Sequence, residues 1–191
     1  MHNGYVEEYH QFVQHLKLAE NYHSVYLLQA GAHIARNPIL EQILPSLLYV
    51  RMASLFDEGL LRYININKLS PPKKRYKNDL NGRIEFLNDN KLLKDSKECH
   101  RVRKRRNDIS HEPATNASWT DLENDLRIVE SELKNLGLIG NRPNYEFYAE
   151  CSAARDSKEE NVLCVQDYCF GLKEGGKKRI EVSWTVRMMK N

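Results

Sequence analysis

No apolar run in this chain approaches the about 18 residues that a membrane-spanning helix requires. The stretch from Met1 to Tyr9 is polar and lacks the apolar segment of a secretory signal. Cysteine is scarce: Cys99, Cys151, Cys164 and Cys169 form no CxxC pair. That spacing argues against a zinc site or a disulfide framework and for reduced thiols in a cytoplasmic protein. Cys164 and Cys169, an odd number of residues apart in a strand-like run, should point to opposite faces. A large excess of one charge is also missing. The formal net charge of +3 is too small to mark a nucleic-acid binder by itself, so what matters is where the cations lie.

What is present suits a packed chain. With 191 residues, 41% hydrophobic and 29% charged, the sequence can bury a sizeable core in one domain, or in one domain with a small appendage. Residues 5 to 35 carry a 4-3 repeat (Tyr5, Tyr9, Phe12, Leu16, Ala19, His23, Tyr26, Ala30, His33), which predicts a long amphipathic helix with one seam. His23 and His33 lie on that seam, where a hydrogen-bonded core histidine is the ordinary role. Asn37-Pro38 should stop the helix.

Residues 39 to 66 predict a second helix, apolar on most of its circumference (Leu44, Leu47, Leu48, Met52, Leu55, Phe56, Leu60, Leu61, Ile64), and therefore central in a bundle. Pro45 fits only its first turns or a kink. Arg51, Asp57 and Glu58 must be turned to an edge or paired, or stand in support beside a basic helix. Pro71-Pro72 and the basic run Lys73-Lys74-Arg75-Tyr76-Lys77 mark an exposed connector, either merely solvated or touching an RNA backbone. A short helix carries Leu80, Ile84 and Leu87 and ends near Asn88-Asp89-Asn90, and another spans 95 to 112. Thr120-Asp-Leu-Glu123 fits a capping box for a closing helix whose seam is Leu122, Leu126, Val129, Leu133 and Leu136, ending at Gly137.

Past Gly140 the period changes. Ile180, Val182, Trp184, Val186 and Met188 alternate with polar residues, as in a half-buried strand. Residues 161 to 172 are its hairpin partner across the turn Lys173-Glu-Gly-Gly176, and Tyr145 to Cys151 suggest a third strand. The expected fold class is mainly α: an up-and-down helical bundle over residues 1–138, with a small antiparallel β extension over 139–191 packed on the bundle or on a partner subunit.

The 95–112 helix holds the chemistry. Its apolar positions Cys99, Val102 and Ile109 make a narrow stripe, and Arg101, Arg103, Lys104, Arg105 and Arg106 place five cations in six residues. Asn107 follows, then His111, then Pro113, which ends the helix. RNA carries its own nucleophile, the 2′-hydroxyl. Cleaving it needs a base for that proton, an acid for the leaving 5′-oxygen and a cation for the phosphorane charge, and no metal or other cofactor. His111 suits the proton transfers, Arg106 the phosphate through its planar fork, and Asn107 the orientation of either. Arg101, Arg103, Lys104 and Arg105, with Lys73, Lys74 and Arg75, are candidate RNA-backbone contacts. The bland alternative is a solvated basic face with a helix-capping histidine. Positions five apart lie about 140° around a helix, so Arg106 and His111 do not share a narrow face. Either Arg106 reaches around, or a two-fold axis sets the segment against its copy and both subunits furnish the site.

Arg106-Asn107-Asp108-Ile109-Ser110-His111 resembles the Arg-(Asn/Asp/His)-x-x-x-His signature of the HEPN superfamily, and the likeness extends to the helical organisation over roughly residues 5 to 138. The resemblance implies a HEPN-like dimeric helical bundle. It also implies a metal-independent endoribonuclease of toxin–antitoxin, abortive-infection or other anti-phage systems, leaving cyclic-phosphate ends. By position, Arg106 and His111 would be its catalytic pair and Asn107 its polar residue. RNA, a second copy of the chain and a cognate antitoxin are the implied partners. The C-terminal strands have no counterpart in the minimal pattern. A non-catalytic module that dimerises, binds RNA or holds a regulatory partner is the second reading, and loss of growth arrest and RNA cleavage in Arg106→Ala and His111→Ala separates the two.

Overall fold

A computed structural model describes residues 3–30, 43–72, 74–112, 114–158 and 161–189, without the side chains of Asn3, of residues 22–30 and of Trp184. The elements are α1 (Asn3–Ala30), α2 (Leu44–Ile66), α3 (Leu80–Asp89), α4 (Ser96–His111), α5 (Trp119–Asn135), β1 (Glu146–Cys151), β2 (Arg155–Asp156), β3 (Val162–Glu174) and β4 (Lys177–Met189). The expectations for His33, the Asn37-Pro38 stop, the first residues of the second helix, Lys73 and Pro113 fall outside the described residues. So do those for the side chains of His23, Tyr26, Ala30 and Trp184. Among the described residues no helix is long and apolar enough to cross a membrane.

Of the described residues, those within 1–12 and 36–142 form one compact unit, and those within 13–35 and 143–191 form a second. In the helical unit α2 packs against α3, α4 and α5. The repeat read from the sequence supplies the buried side chains: Tyr5, Tyr9 and Phe12 of α1, Met52, Phe56 and Leu60 of α2, and Leu122, Leu126, Val129 and Leu133 of α5. Pro45 sits in the first turn of α2, where its missing N–H costs nothing. Leu47 is 63% exposed, so α2 is less completely enclosed than its composition suggests. The capping box of α5 is made by Ser118 and Asp121 and not by the expected Thr120 and Glu123. The helix starts earlier because Ser118, extended at φ −84° and ψ 165°, accepts from the Asp121 N–H while Asp121 accepts from the Ser118 N–H.

The fold class is mixed, and the expected mainly α bundle with a small β extension is corrected here. The β region is a four-stranded antiparallel sheet with its own compact unit. Its central strand β3 and neighbour β4 are each 13 residues long, and the second half of α1 belongs to the same unit. Both β1 and β2 pair along one side of β3, and β4 along the other. The ribbon outruns its alternating pattern because register shifts between Val162 and Cys164 and between Leu172 and Lys173 let pairing continue where the apolar/polar alternation lapses. Gly175 (φ 55°) and Gly176 (φ 77°) make the turn in the left-handed region. Gly171 is bare for a different reason. A Cβ there would run into the Ile180 carbonyl and approach the Tyr148 hydroxyl, which crosses above it to donate to Glu181 at 2.7 Å.

Candidate active site

Two aspartates start the helices that frame the site. Asp79 caps α3, accepting from the Gly82 N–H at 2.8 Å, and Asp95 caps α4, accepting from the Glu98 N–H at 3.1 Å. Buried Glu132 accepts the N–H groups of Lys94 and Asp95, which fixes the entry into α4. Cys99 and Val102 then anchor α4 in the core, with Ile109 only half-buried. Burial, reinforced by the Glu132 charge, pushes the Cys99 thiol up to about 12, so it packs as an inert apolar group.

The five cations of α4 separate into distinct environments. Arg101 pairs with Glu98 at 2.7 Å and with Asp125 of α5 at 2.8 Å. Arg105, one turn on, pairs with Asp121 and Asp125, both at 3.0 Å. Asp125 is fully buried and also accepts from the Tyr49 hydroxyl at 2.5 Å. The Tyr49 hydroxyl is held above its ordinary range by burial and then by that carboxylate. Asp121 would be raised by burial, but its bonds to Ser118 and the charges of Arg105 and Arg101 outweigh that and hold it below the usual carboxylate range. Lys104 is exposed and pairs with Asp108 at 3.2 Å. Thus three candidate RNA contacts are already matched by carboxylates, two of them through one buried aspartate.

Arg103 and Arg106 differ. Both line a cleft of about 380 Å³ with Asn107 of α4, Ala53, Ser54, Asp57 and Glu58 of α2, and Asp79, Leu80 and Asn81 at the start of α3. Arg106 Nη1 donates to Asn107 Oδ1 at 3.0 Å, and neither arginine makes an ion pair among the described residues. The Arg103 Nε is buried without a hydrogen-bond partner there. His100, a turn before Arg103, is lowered below its ordinary range by partial burial and then by the Arg103 charge, with Glu85 opposing.

His111 ends α4 as an exposed residue outside the cleft lining. One chain therefore brings Arg106, Asn107 and Arg103 to one cleft whose lining omits His111. Arg106 lies about 140° from His111 around the helix, whereas Asn107 is its neighbour one turn back. In the connector, Arg75 pairs with Asp89 at 2.6 Å and stacks over Tyr76, while Lys74 is exposed.

Sequence reasoning missed Asp125 and the part played by Asp79. Asp125 had a partial signal, a carboxylate beside Leu122 and Leu126 of the apolar seam of α5; that it meets Arg101 and Arg105 is a tertiary fact. Asp79 had the ordinary signature of a helix cap, but nothing local told that α3 would begin beside α4. Comparison of the chain with protein-family models, with curated proteins and with solved structures found no match.

Proposed function

We propose that this protein is a metal-independent endoribonuclease that cleaves RNA by attack of the 2′-hydroxyl, leaving a 2′,3′-cyclic phosphate and a 5′-hydroxyl. The observation that carries this is the state of Arg106. Its α4 neighbours Arg101, Lys104 and Arg105 are neutralised by carboxylates, whereas Arg106 is steadied by a neutral amide and lines an open cleft. A guanidinium so held presents its remaining N–H donors to a phosphate at little cost in ordering. RNA is chosen over other phosphate esters because the Arg106–His111 spacing resembles the HEPN signature.

In the step itself a base removes the 2′-hydroxyl proton, O2′ bonds to phosphorus, and O5′ departs with a proton from an acid. The Arg106 fork neutralises the equatorial oxygens meanwhile. His111 takes the 2′-hydroxyl proton and water protonates O5′. His111 is offset from Arg106 on its own chain, so each site pairs Arg106 of one subunit with His111 of the other across the two-fold axis of a homodimer. The biological setting is a bacterial toxin or anti-phage effector acting in the cytoplasm, with a cognate antitoxin as partner.

The test is cleavage of RNA in a chelating buffer by wild type, Arg106→Ala and His111→Ala. Loss of about 100-fold or more in each variant is expected, with cyclic-phosphate ends and no cleavage of DNA. Equal cleavage by all three rejects the proposal. The exposure of His111 outside the cleft lining favours a second reading, a non-catalytic RNA-binding or dimerisation module. That reading predicts binding without cleavage, unchanged in His111→Ala and weakened by salt.

A further inference from the structure

The cleft that holds Arg106 has walls of opposite charge. Arg103 and Arg106 stand on the α4 wall, Asp57 and Glu58 on the α2 wall. The two walls do not neutralise each other. Asp57 is paired from α3 by Arg83, whose side chain is only 11% exposed, and Glu58 is paired along α2 by Arg62 at 2.7 Å. The volume lies at the small end of the roughly 300–1,000 Å³ of small-ligand sites, room for one nucleotide and not for a duplex.

We propose that this cleft seats one guanine nucleotide of a single RNA strand, with its phosphate against Arg103 and Arg106 and its base edge against Asp57. The RNA part rests on the ribonuclease reading above. The orientation follows from charge: a phosphate is drawn to the α4 wall, where Arg103 and Arg106 make no ion pair among the described residues, and not to the α2 wall, whose carboxylates are already matched by arginines. The base follows from donor and acceptor chemistry. An ionised carboxylate only accepts, and guanine alone sets two adjacent donors, N1–H and N2–H2, on one edge. Adenine and cytosine place a bare ring nitrogen beside their amino group, and uracil flanks its one N–H with carbonyls. Each of those sets a lone pair against the carboxylate. Asp57 is favoured over Glu58 because a mostly buried arginine fixes it, while the partner of Glu58 is a more exposed neighbour on the same helix. A bidentate match of this kind discriminates by about 10- to 100-fold.

The test titrates the full-length protein into labelled ten-nucleotide uridine strands carrying one central guanosine, adenosine or cytidine. They bear 2′-fluoro groups throughout, so binding is read without cleavage. Wild type should bind the guanosine strand at least about 10-fold more tightly than the others. Asp57→Asn should erase that preference, and Arg103→Gln should weaken every strand alike and flatten the salt dependence. Equal affinity for all strands in the wild type overturns the proposal, even where Asp57→Asn fails to fold. A guanosine preference that survives in a folded Asp57→Asn also overturns it. Competition by guanosine monophosphate as strong as by the strand overturns the placement within RNA. A guanosine preference in binding without any cleavage of ordinary RNA rejects the ribonuclease reading alone. Cleavage with a flat base series rejects the base assignment alone.

Discussion

Asp125 is the residue that decides what the basic segment is for. A buried carboxylate is tolerated when its charge is matched: Tyr49 and Arg105 donate to Asp125 Oδ2, and Arg101 sets its charge 2.8 Å from Oδ1. The arginines act there as a clamp between α4 and α5, and the local field left over comes from Arg103 and Arg106. Asp125→Ala should lower stability by about 2–3 kcal/mol in urea unfolding at neutral pH, somewhat less than a wholly enclosed pair because both arginines regain water. Tyr49→Phe should cost about 1.5–3 kcal/mol, the value of one hydrogen bond to a charged acceptor. A loss below about 0.5 kcal/mol for Asp125→Ala would remove the clamp from this account. Positions 101 and 105 look like steering charges in the sequence because a linear chain does not say which cations face a carboxylate.

At the scale of the element, α3 positions the acidic side of the cleft. Asp79 caps it, and Arg83 reaches from it to Asp57. Gly82 is needed at its first turns because a Cβ there would overlap the backbone of Lys77 in the preceding connector. In an open helix Gly→Ala stabilises by about 1 kcal/mol. Gly82→Ala should instead destabilise by about 1–3 kcal/mol through overpacking, and the sign of the change in chemical denaturation is the test. The helices themselves were largely legible, since their apolar residues recur every three to four positions and several starts carry capping side chains. The start of α5 was misread because both Ser118 and Thr120 have an acid three residues on, and only the backbone geometry separates them. The short strand β2 had no readable pattern. Its two residues are strand because β3 runs past them, a non-local cause.

At the scale of the whole molecule, the proposed ribonuclease site calls for a second copy of the chain. If the site is shared across a dimer axis, mixing Arg106→Ala with His111→Ala subunits gives mixed dimers with one intact site. About a quarter of wild-type cleavage should return, since about half the dimers are mixed and half their sites are whole. No recovery after confirmed subunit exchange would place the full site within one chain. The sequence alone determined the helices, the turn at Gly175-Gly176, the pairing of the last two strands and the Arg106–Asn107–His111 spacing. All of these follow from short-range periodicity, turn chemistry and covalent order. Only the tertiary structure decided that the sheet and the second half of α1 form one unit and that α1 is thereby divided between two. It also decided that Asp125 neutralises Arg101 and Arg105, and that Arg103 and Arg106 face Asp57 and Glu58 across one cleft. These depend on which distant side chains meet, and burial makes such a meeting selective because an unmatched charge there is costly.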